Sequence, residues 1–554
     1  MSWQRCVALS TIVGGLVVAV ACKNSAGPNN NLPSCGARGT PLSLSVAQYA
    51  LTDVATDSGC VTFAANTSAD TAEYLVLPWS VGGLQLNAPF VLQAASPLTA
   101  SISASRVPSS TPHTTRGAAA VSFDHFLREL GRSRRYPVRS MASAAMSSQP
   151  RTSVPAAPPV VGDKRTFKVC SNNNCSPTVN VGAVAKSVGQ HIAIYVDTLA
   201  PTPGLPQSDL DSLRDVFDTR LYTLDTLTFG HVSDIDGNSV VIVLMTNQVN
   251  KLVSTSDCNA TGYVAGFFFP GDLDPSFSSQ YNNGEIFYSI VADSTGTLSC
   301  AHKNSDVNFT TPITFTHEFQ HMINFVEHVL VKGAQDSEEG WLDEGLSKYA
   351  EEIAGRSFGD NAHFSQFAIG DVLDANDYFQ KTGTSPLLIP VDQGSLASVG
   401  ASWLFTRYIV DQFGDSLPGK LVRTTLTGAN NVATQTGQPF DQTVGRWAFA
   451  NWVDSLPGFT TPPELQYTSW NFRRTFSSLH TQDAKNFPLV YPLVPTIATA
   501  NAVNVTGALW SGSGVYVRVM QPPNSGAFTL HLSGPSGASI SASVVPRLNV
   551  LRIR

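Results

Sequence analysis

The segment that most constrains the fold of this chain is residues 314–326, which contain the pattern His317-Glu318-x-x-His321. In a helix, residues four apart lie on one face, so both imidazoles can bind the same metal ion. Glu318 projects beside them and can reach a water molecule on that ion. The helix is predicted independently by apolar residues at helical spacing, namely Phe315, Phe319, Met322, Ile323, Val326 and Leu330. The segment therefore offers two metal ligands and a general base.

A second segment, residues 341–351, begins after 19 intervening residues and has the sequence Trp-Leu-Asp-Glu-Gly-Leu-Ser-Lys-Tyr-Ala-Glu. The intervening length fits the end of the first helix, a short polar loop over residues 332–339 and a return helix. Such a return would place Glu344 beside the two histidines as a third ligand. Three protein ligands leave one position of a zinc ion for water, which is typical of catalytic sites, whereas structural sites usually have four.

Together, the segments HEFQH and WLDEGLSKYAEE resemble the gluzincins, the zinc peptidases whose third ligand is a glutamate. The longer run HEFQHMINF, with WLDEGLS downstream, is most similar to the hyicolysin-type bacterial metallopeptidases. The resemblance is specific over residues 310–355 and looser over residues 160–455. Asp343 departs from the usual asparagine at its position. The 22 residues between His321 and Glu344 exceed the spacing in zinc aminopeptidases and thermolysin-like enzymes, which argues against close kinship with either.

The fold class expected from the sequence is α+β. The resemblance implies a zincin-like catalytic domain, with a twisted-sheet lobe and a helical lobe, which we place at residues 161–480. Short alternating apolar runs predict β-sandwich domains on both sides of it, at residues 35–105 and 490–554. Within the catalytic domain the patterns predict strands at 166–169, 191–197, 240–246, 262–269 and 285–291, and helices at 208–222, 361–373, 400–414 and 440–453.

The N-terminus is typical of an export signal. Arg5 supplies a positive charge, and residues 7–20 form an apolar run of signal-peptide length. We therefore expect a signal peptide over residues 1–21 and a polar tether over residues 22–34. Cleavage before Cys22 fits two outcomes, which are lipidation of Cys22 to give an outer-membrane or cell-surface lipoprotein, and simple secretion. A membrane is then a partner only through that anchor.

Residues 106–160 are rich in Ser, Ala, Pro and Arg and are interpreted as a linker with one embedded helix. The helix is predicted from the apolar face formed by Phe123, Phe126, Leu127 and Leu130, and several arginines follow it. Two interpretations stay open. The segment is either a solvated linker or part of a propeptide over residues 23–160, with the arginines as its processing site.

Six cysteines remain once Cys6 and Cys22 are set aside, and an even count in an exported chain predicts disulfide bonds. Pairing each cysteine with its neighbour predicts the bonds Cys35–Cys60, Cys170–Cys175 and Cys258–Cys300. The spacing of Cys170 and Cys175 also fits half of a metal site. A small disulfide-closed loop is favoured because no matching Cys or His pair lies nearby in the sequence.

The chemistry expected from these residues is metal-assisted peptide hydrolysis. Zn²⁺ held by His317, His321 and Glu344 would lower the pKa of its bound water. Glu318 would take the water proton as general base and deliver it to the leaving amine. The candidates for stabilising the oxyanion are His363, Tyr378 and Tyr408, and the candidates for orienting the zinc-bound imidazoles are Asp343, Glu351 and Glu352.

The sequence thus predicts an exported zinc endopeptidase acting on proteins or peptides. Two alternatives remain: a zinc aminopeptidase-like hydrolase, and a surface-binding lipoprotein with a non-catalytic zincin core. The first is weakened because no G-x-M-E-N-type amine-binding motif precedes His317, and the second because Glu318 is intact. With 14% charged residues and a net charge of −7, the chain has no basic surface of the kind that binds nucleic acid.

Overall fold

The computed structural model describes residues 35, 41–55, 58–82, 87–95, 118–134, 157–388 and 395–554. The predicted signal peptide and tether, with Cys22, lie outside the described residues. The strands are β1 (Tyr49–Asp53), β2 (Cys60–Phe63), β3 (Ala72–Ser80), β4 (Ala88–Ala94), β5 (Lys164–Cys170), β6 (Thr178–Val188), β7 (Ile192–Asp197), β8 (Val241–Met245), β9 (Gly266–Phe268), β10 (Ile286–Ser289), β11 (Thr496–Thr499), β12 (Asn504–Leu509), β13 (Val517–Gln521), β14 (Phe528–Ser533) and β15 (Pro546–Arg552).

The helices are α1 (Ala118–Ser133), α2 (Gln207–Val216), α3 (Tyr222–Thr228), α4 (Asn247–Asn250), α5 (Thr255–Thr261), α6 (Asn304–Phe325), α7 (Gly340–Ser357), α8 (Asn361–Gln380), α9 (Leu396–Phe413), α10 (Leu417–Val422), α11 (Gly428–Thr436), α12 (Phe440–Val453) and α13 (Phe472–Gln482). A π-helical turn, Phe217–Leu221, joins α2 to α3, and a second one, Val326–Val331, extends α6. The described chain is therefore a mixed structure of sheets and helices, which is compatible with the α+β class.

One six-stranded sheet supports the candidate site, with the strand order β5-β6-β7-β8-β10-β9. Strands β7, β8 and β10 run parallel, and β9 pairs antiparallel with β10 at the edge of the sheet. All five residues of β8 are apolar and buried, as expected for a parallel strand covered on both faces. Helix α6 contacts both β9 and β10, so this edge of the sheet lies against the helix that carries His317 and His321.

The helical part of the fold follows α6 in the chain. Helices α7, α8 and α9 pack against one another, and α7 also packs against α6. Helix α9 ends at Gly414, whose φ of 94° is accessible to glycine without a side-chain clash, and the next segment can therefore turn away. The helix predicted at residues 361–373 continues to Gln380 in the structure, whereas the one predicted at 440–453 has those limits.

The expectation of separate N- and C-terminal β-sandwich domains is wrong. Strands from both ends of the chain alternate in two sheets, ordered β1-β15-β3-β13-β11 and β12-β4-β14-β2. Val76 of β3, for example, pairs with Val517 on one side and with Val550 on the other. Their inward side chains form a shared core that includes Phe63, Leu92, Val519 and Leu530. Both neighbours of the N-terminal strand β3 come from the C-terminal segment, so the two segments fold as one sandwich.

The three predicted disulfide bonds are confirmed as Cys35–Cys60, Cys170–Cys175 and Cys258–Cys300. The last of these joins α5, which precedes β9, to the loop that leads into α6. Within the described residues, no helix is long and apolar enough to cross a membrane.

Candidate metal centre

Helix α6 positions the first three predicted site residues. Its apolar residues Phe315, Phe319 and Ile323 are fully buried, which fixes how the helix is rotated about its axis. His317 and His321 then project together from one face, with their Nε2 atoms 3.1 Å apart. Glu318 lies beside them, and its Oε2 atom accepts a 2.8 Å hydrogen bond from the backbone N–H of Phe268 in β9.

Carboxylates on α7 orient both imidazole rings. Glu351 Oε1 lies 2.7 Å from Nδ1 of His317, and Asp343 Oδ2 lies 3.0 Å from Nδ1 of His321. A carboxylate at this distance accepts a hydrogen bond, so each Nδ1 carries the hydrogen and each Nε2 is the nitrogen left to bind a metal ion. Two nitrogens at 3.1 Å repel each other unless a cation, either a proton or a metal ion, lies between them. This arrangement is that of metal-binding histidines whose second nitrogen is held by an outer carboxylate.

Glu344 completes this donor group. One carboxylate oxygen lies 3.3 Å from Nε2 of His321, and the other lies 3.7 Å from Nε2 of His317. The Oε1 atom is buried and accepts no hydrogen bond, which is costly for a carboxylate that has no cation beside it. Two imidazole nitrogens and one carboxylate are the ligand types of catalytic zinc sites, so the residues present fit that ion.

Gly345 explains how Glu344 reaches this position. A Cβ atom at residue 345 would approach the backbone O of Ser402 to 2.7 Å and would also contact Oγ1 of Thr406. Only glycine therefore lets α7 pack this closely on α9. The Glu-Gly pair in the sequence thus couples a ligand to the helix contact that holds it in place.

The electrostatic environment favours a cation. Burial and the neighbouring Arg128 cation both lower the pKa of His321, but the carboxylates of Asp343 and Glu344 outweigh them and raise it to about 10. Burial alone would raise the pKa of Glu344, yet hydrogen bonding and the nearby histidines bring it well below its usual range. Negative charge on Glu344 is thus stabilised by its hydrogen bond with the Asp124 carboxyl and by the positive charge of the histidines.

A fourth residue, Asp124, also belongs to this group. One donor atom from each of Asp124, His317, His321 and Glu344 lies within 4.8 Å of every other. Asp124 comes from α1, the helix expected within residues 106–160. That helix is not solvated, because Phe123 is buried and Leu127 is fully buried.

The metal group lies in a cleft of about 280 Å³. Its walls come from α1, α6, α7 and the segment that leads into β9, and they include Asp124, His317, Glu318, Glu344, Lys348 and Glu351. Lys348 Nζ lies 3.2 Å from Glu351 Oε1 and 3.3 Å from Asp371 Oδ1. These carboxylates raise the pKa of Lys348 against the effect of burial, so its ammonium stays charged and helps to fix Glu351.

The three candidates for stabilising the oxyanion, His363, Tyr378 and Tyr408, lie outside the cleft lining. Tyr378 is fully buried, and Tyr408 donates a 2.6 Å hydrogen bond to the backbone O of Glu464. His363 stacks on Phe358 and pairs with Asp360 at the start of α8. The structure therefore brings none of the three oxyanion candidates to the metal group.

Of the three candidates for orienting the imidazoles, Asp343 and Glu351 contact the histidines, whereas Glu352 does not. Glu352 points away from His317 and accepts hydrogen bonds from the indole N–H groups of Trp403 and Trp470. The sequence analysis did not identify Asp124, Arg128 or Lys348. The spacing of Asp124 and Arg128 beside the apolar face of a helix predicts an ion pair but does not predict that the pair reaches the histidines.

Comparison with known proteins gives one partial similarity. Over 142 residues the chain is 29% identical to the neutral metalloprotease ShpI of Staphylococcus hyicus, and the match covers 26% of this chain and 30% of that relative. No protein-family model matches the chain. The similarity suggests a metallopeptidase-type function that depends on a metal cofactor.

Proposed function

We propose that this protein is a zinc-dependent endopeptidase. The observation that carries the proposal is the convergence of His317, His321 and Glu344 on one point, with Glu318 beside it. The partial similarity to a neutral metalloprotease supports the same class of reaction. His317, His321 and Glu344 would hold the zinc ion, as their donor types fit it.

A bound zinc ion supplies a Lewis acid that polarises the scissile carbonyl and acidifies water. Glu318 acts as general base, taking the proton of the attacking water and returning it to the leaving amine. The hydrogen bond from Phe268 N–H holds one oxygen of Glu318 and leaves the other to receive that proton. Asp343 and Glu351 keep both imidazoles in the tautomer that binds metal.

The substrate class follows from the edge strand. Strand β9 pairs with β10 on one side only, and the segment leading into it, with Gly266, borders the cleft. An extended peptide can add to such an edge through main-chain hydrogen bonds, which act along the chain rather than at a terminus. This favours cleavage within proteins or peptides over removal of a single N-terminal residue.

We further propose that the protein is exported, either as a lipoprotein anchored through Cys22 or as a secreted protein. The three disulfide bonds support an oxidising compartment. Mass spectrometry of the mature N-terminus tests this proposal. A lipidated Cys22 would show the anchored form, an unmodified N-terminus at Cys22 would show secretion, and an intact Met1 in the exported fraction would contradict both.

The function is tested by measuring zinc content and casein or mixed-peptide hydrolysis together. Because Asp124 lies in the metal group, the natural chain and an Asp124→Ala chain are compared, each with and without Glu318→Gln. We expect about one zinc per chain in all four proteins, and hydrolysis only where Glu318 is intact. Bound zinc with no cleavage in any of the four would contradict the proposal and favour the non-catalytic surface protein.

A further inference from the structure

We propose that Asp124 is a fourth protein ligand of the metal ion and that α1 holds the enzyme in a latent form. This inference rests on the proposed metal site and deepens the proposed function by naming its regulation. With three protein ligands, a zinc ion keeps one position for water, whereas a fourth protein ligand closes the site. A closed site has no place for the attacking water.

The position of Asp124 is the first observation. Its carboxylate lies in the group formed by His317, His321 and Glu344, with all the donor atoms within 4.8 Å of one another. The Oδ1 atom is buried and accepts no hydrogen bond, although Arg128 Nη2 lies 3.2 Å away. Asp124 and Glu344 thus bring two carboxylates into one donor group, an arrangement that a shared cation stabilises.

Arg128 attaches the helix to the rest of the site. Its side chain is only 3% exposed, and its Nη1 atom lies 3.7 Å from Oδ2 of Asp343, the carboxylate that orients His321. Its Nη2 atom donates a 3.2 Å hydrogen bond to the backbone O of Phe268 in β9. One side chain therefore joins α1 both to α7 and to the edge strand.

The apolar face of α1 covers the same strand. The ring of Phe123 packs edge-on against that of Phe267 with centroids 5.1 Å apart, and Leu127 is fully buried. Further along α1, Gly131 lies so close to Pro270, just after β9, that an added Cβ would approach Cγ of that proline to 2.9 Å. Helix α1 thus lies along the edge where we expect the substrate to pair, while Asp124 takes the position of the attacking water.

The test uses the full chain loaded with Co²⁺, whose visible absorption reports the ligands. The probe is acetohydroxamic acid, a small compound that binds a metal ion through two oxygens. We compare the natural chain with Asp124→Ala, Asp124→Asn and the control Glu129→Ala, which removes a carboxylate from α1 outside the metal group. We expect the hydroxamate to change the spectrum of both Asp124 variants at concentrations that leave the natural chain and the control unchanged.

The second readout is peptide hydrolysis by the zinc forms of the same proteins. We expect the Asp124 variants to be faster than the natural chain by at least about tenfold, which corresponds to about 1.4 kcal/mol. A natural chain that binds the hydroxamate as readily as Asp124→Asn would overturn the inference, even if Asp124→Ala fails to fold. A spectral response in the Asp124 variants without hydrolysis would retain Asp124 as a ligand and would reject the peptidase instead.

Discussion

Replacing Glu351 by glutamine should weaken zinc binding without removing any zinc ligand. The carboxylate accepts a 2.7 Å hydrogen bond from Nδ1 of His317 and is only 5% exposed. A buried hydrogen bond to a charged group contributes about 1.5–3 kcal/mol, against about 0.5–1.5 kcal/mol for a neutral one. Glutamine can still accept this hydrogen bond, so the loss should be about 1–1.5 kcal/mol, or about tenfold in zinc affinity. Glu351→Ala should lower the zinc affinity by up to about 100-fold.

The assay is competition for zinc against a chelator of known affinity, which needs no turnover. Glu352→Gln provides a matched control, because Glu352 is the next residue, is fully buried and contacts Trp403, Trp470 and Arg407 instead of His317. This control should lower thermal stability while zinc affinity stays within about twofold of the natural value. The reasoning would be refuted if Glu351→Gln kept its zinc affinity, or if Glu352→Gln lost as much.

Three further predictions concern stability and packing. Gly345→Ala should push α7 away from α9, because the added Cβ would contact the backbone O of Ser402, and should lower both the melting temperature and the zinc affinity. Unchanged values of both would show that this contact does not determine how closely the helices pack. Burial raises the pKa of Glu338 from 4.5 to about 8, so the unfolded chain ionises first and stability should fall as the pH rises through that interval. The melting temperature of Glu338→Gln, relative to that of the natural chain, should therefore be higher at pH 8 than at pH 4.5, and equal differences at both pH values would contradict this. Replacing Cys258 and Cys300 by serine removes the bond that closes a loop with a sequence separation of 42, and should lower the free energy of unfolding by about 4 kcal/mol. The variant should therefore have a lower melting temperature than the natural chain, and an unchanged melting temperature would contradict this.

The candidate metal centre could be predicted from the sequence because its residues lie close together along the chain. His317 and His321 lie one helical turn apart, and Glu344 follows after a loop whose length allows only a short return. Helical periodicity then fixes which side chains can meet. The same locality let Asp343 and Glu351 be named as partners of the imidazoles, since both lie within two turns of Glu344 on α7.

The position of Asp124 was not predicted because Asp124 lies far along the chain from α6, the helix that carries His317 and His321. Asp124 and Arg128, four residues apart, form the kind of ion pair that also occurs on solvated helices, so the pattern alone does not reveal a buried site. Tyr378 and Tyr408 were predicted near the site but lie elsewhere in the structure. They occupy helix faces that pack in the core, where Tyr378 is fully buried and the hydroxyl of Tyr408 donates to the backbone O of Glu464.

The shared β-sandwich could not be predicted from sequence patterns either. Alternation of apolar residues predicts that β3 and β15 are strands, but it does not say which strands pair. Val76 and Val550 are partners although 473 residues separate them in the chain. Each of the two terminal segments has a strand pattern of its own, so the sequence predicted two separate sandwiches. The structure shows a single sandwich built from both segments.

The central claim is that Glu318 is the general base of a zinc peptidase, and its most direct test removes the proposed latency first. Asp124→Ala is compared with Asp124→Ala/Glu318→Gln for zinc content and for the rate of peptide hydrolysis. General base catalysis contributes about 10²–10⁴-fold. We expect about one zinc per chain in both proteins and a rate at least about 100-fold lower in the double variant. Equal rates, or a full zinc complement with no hydrolysis in either protein, would contradict it.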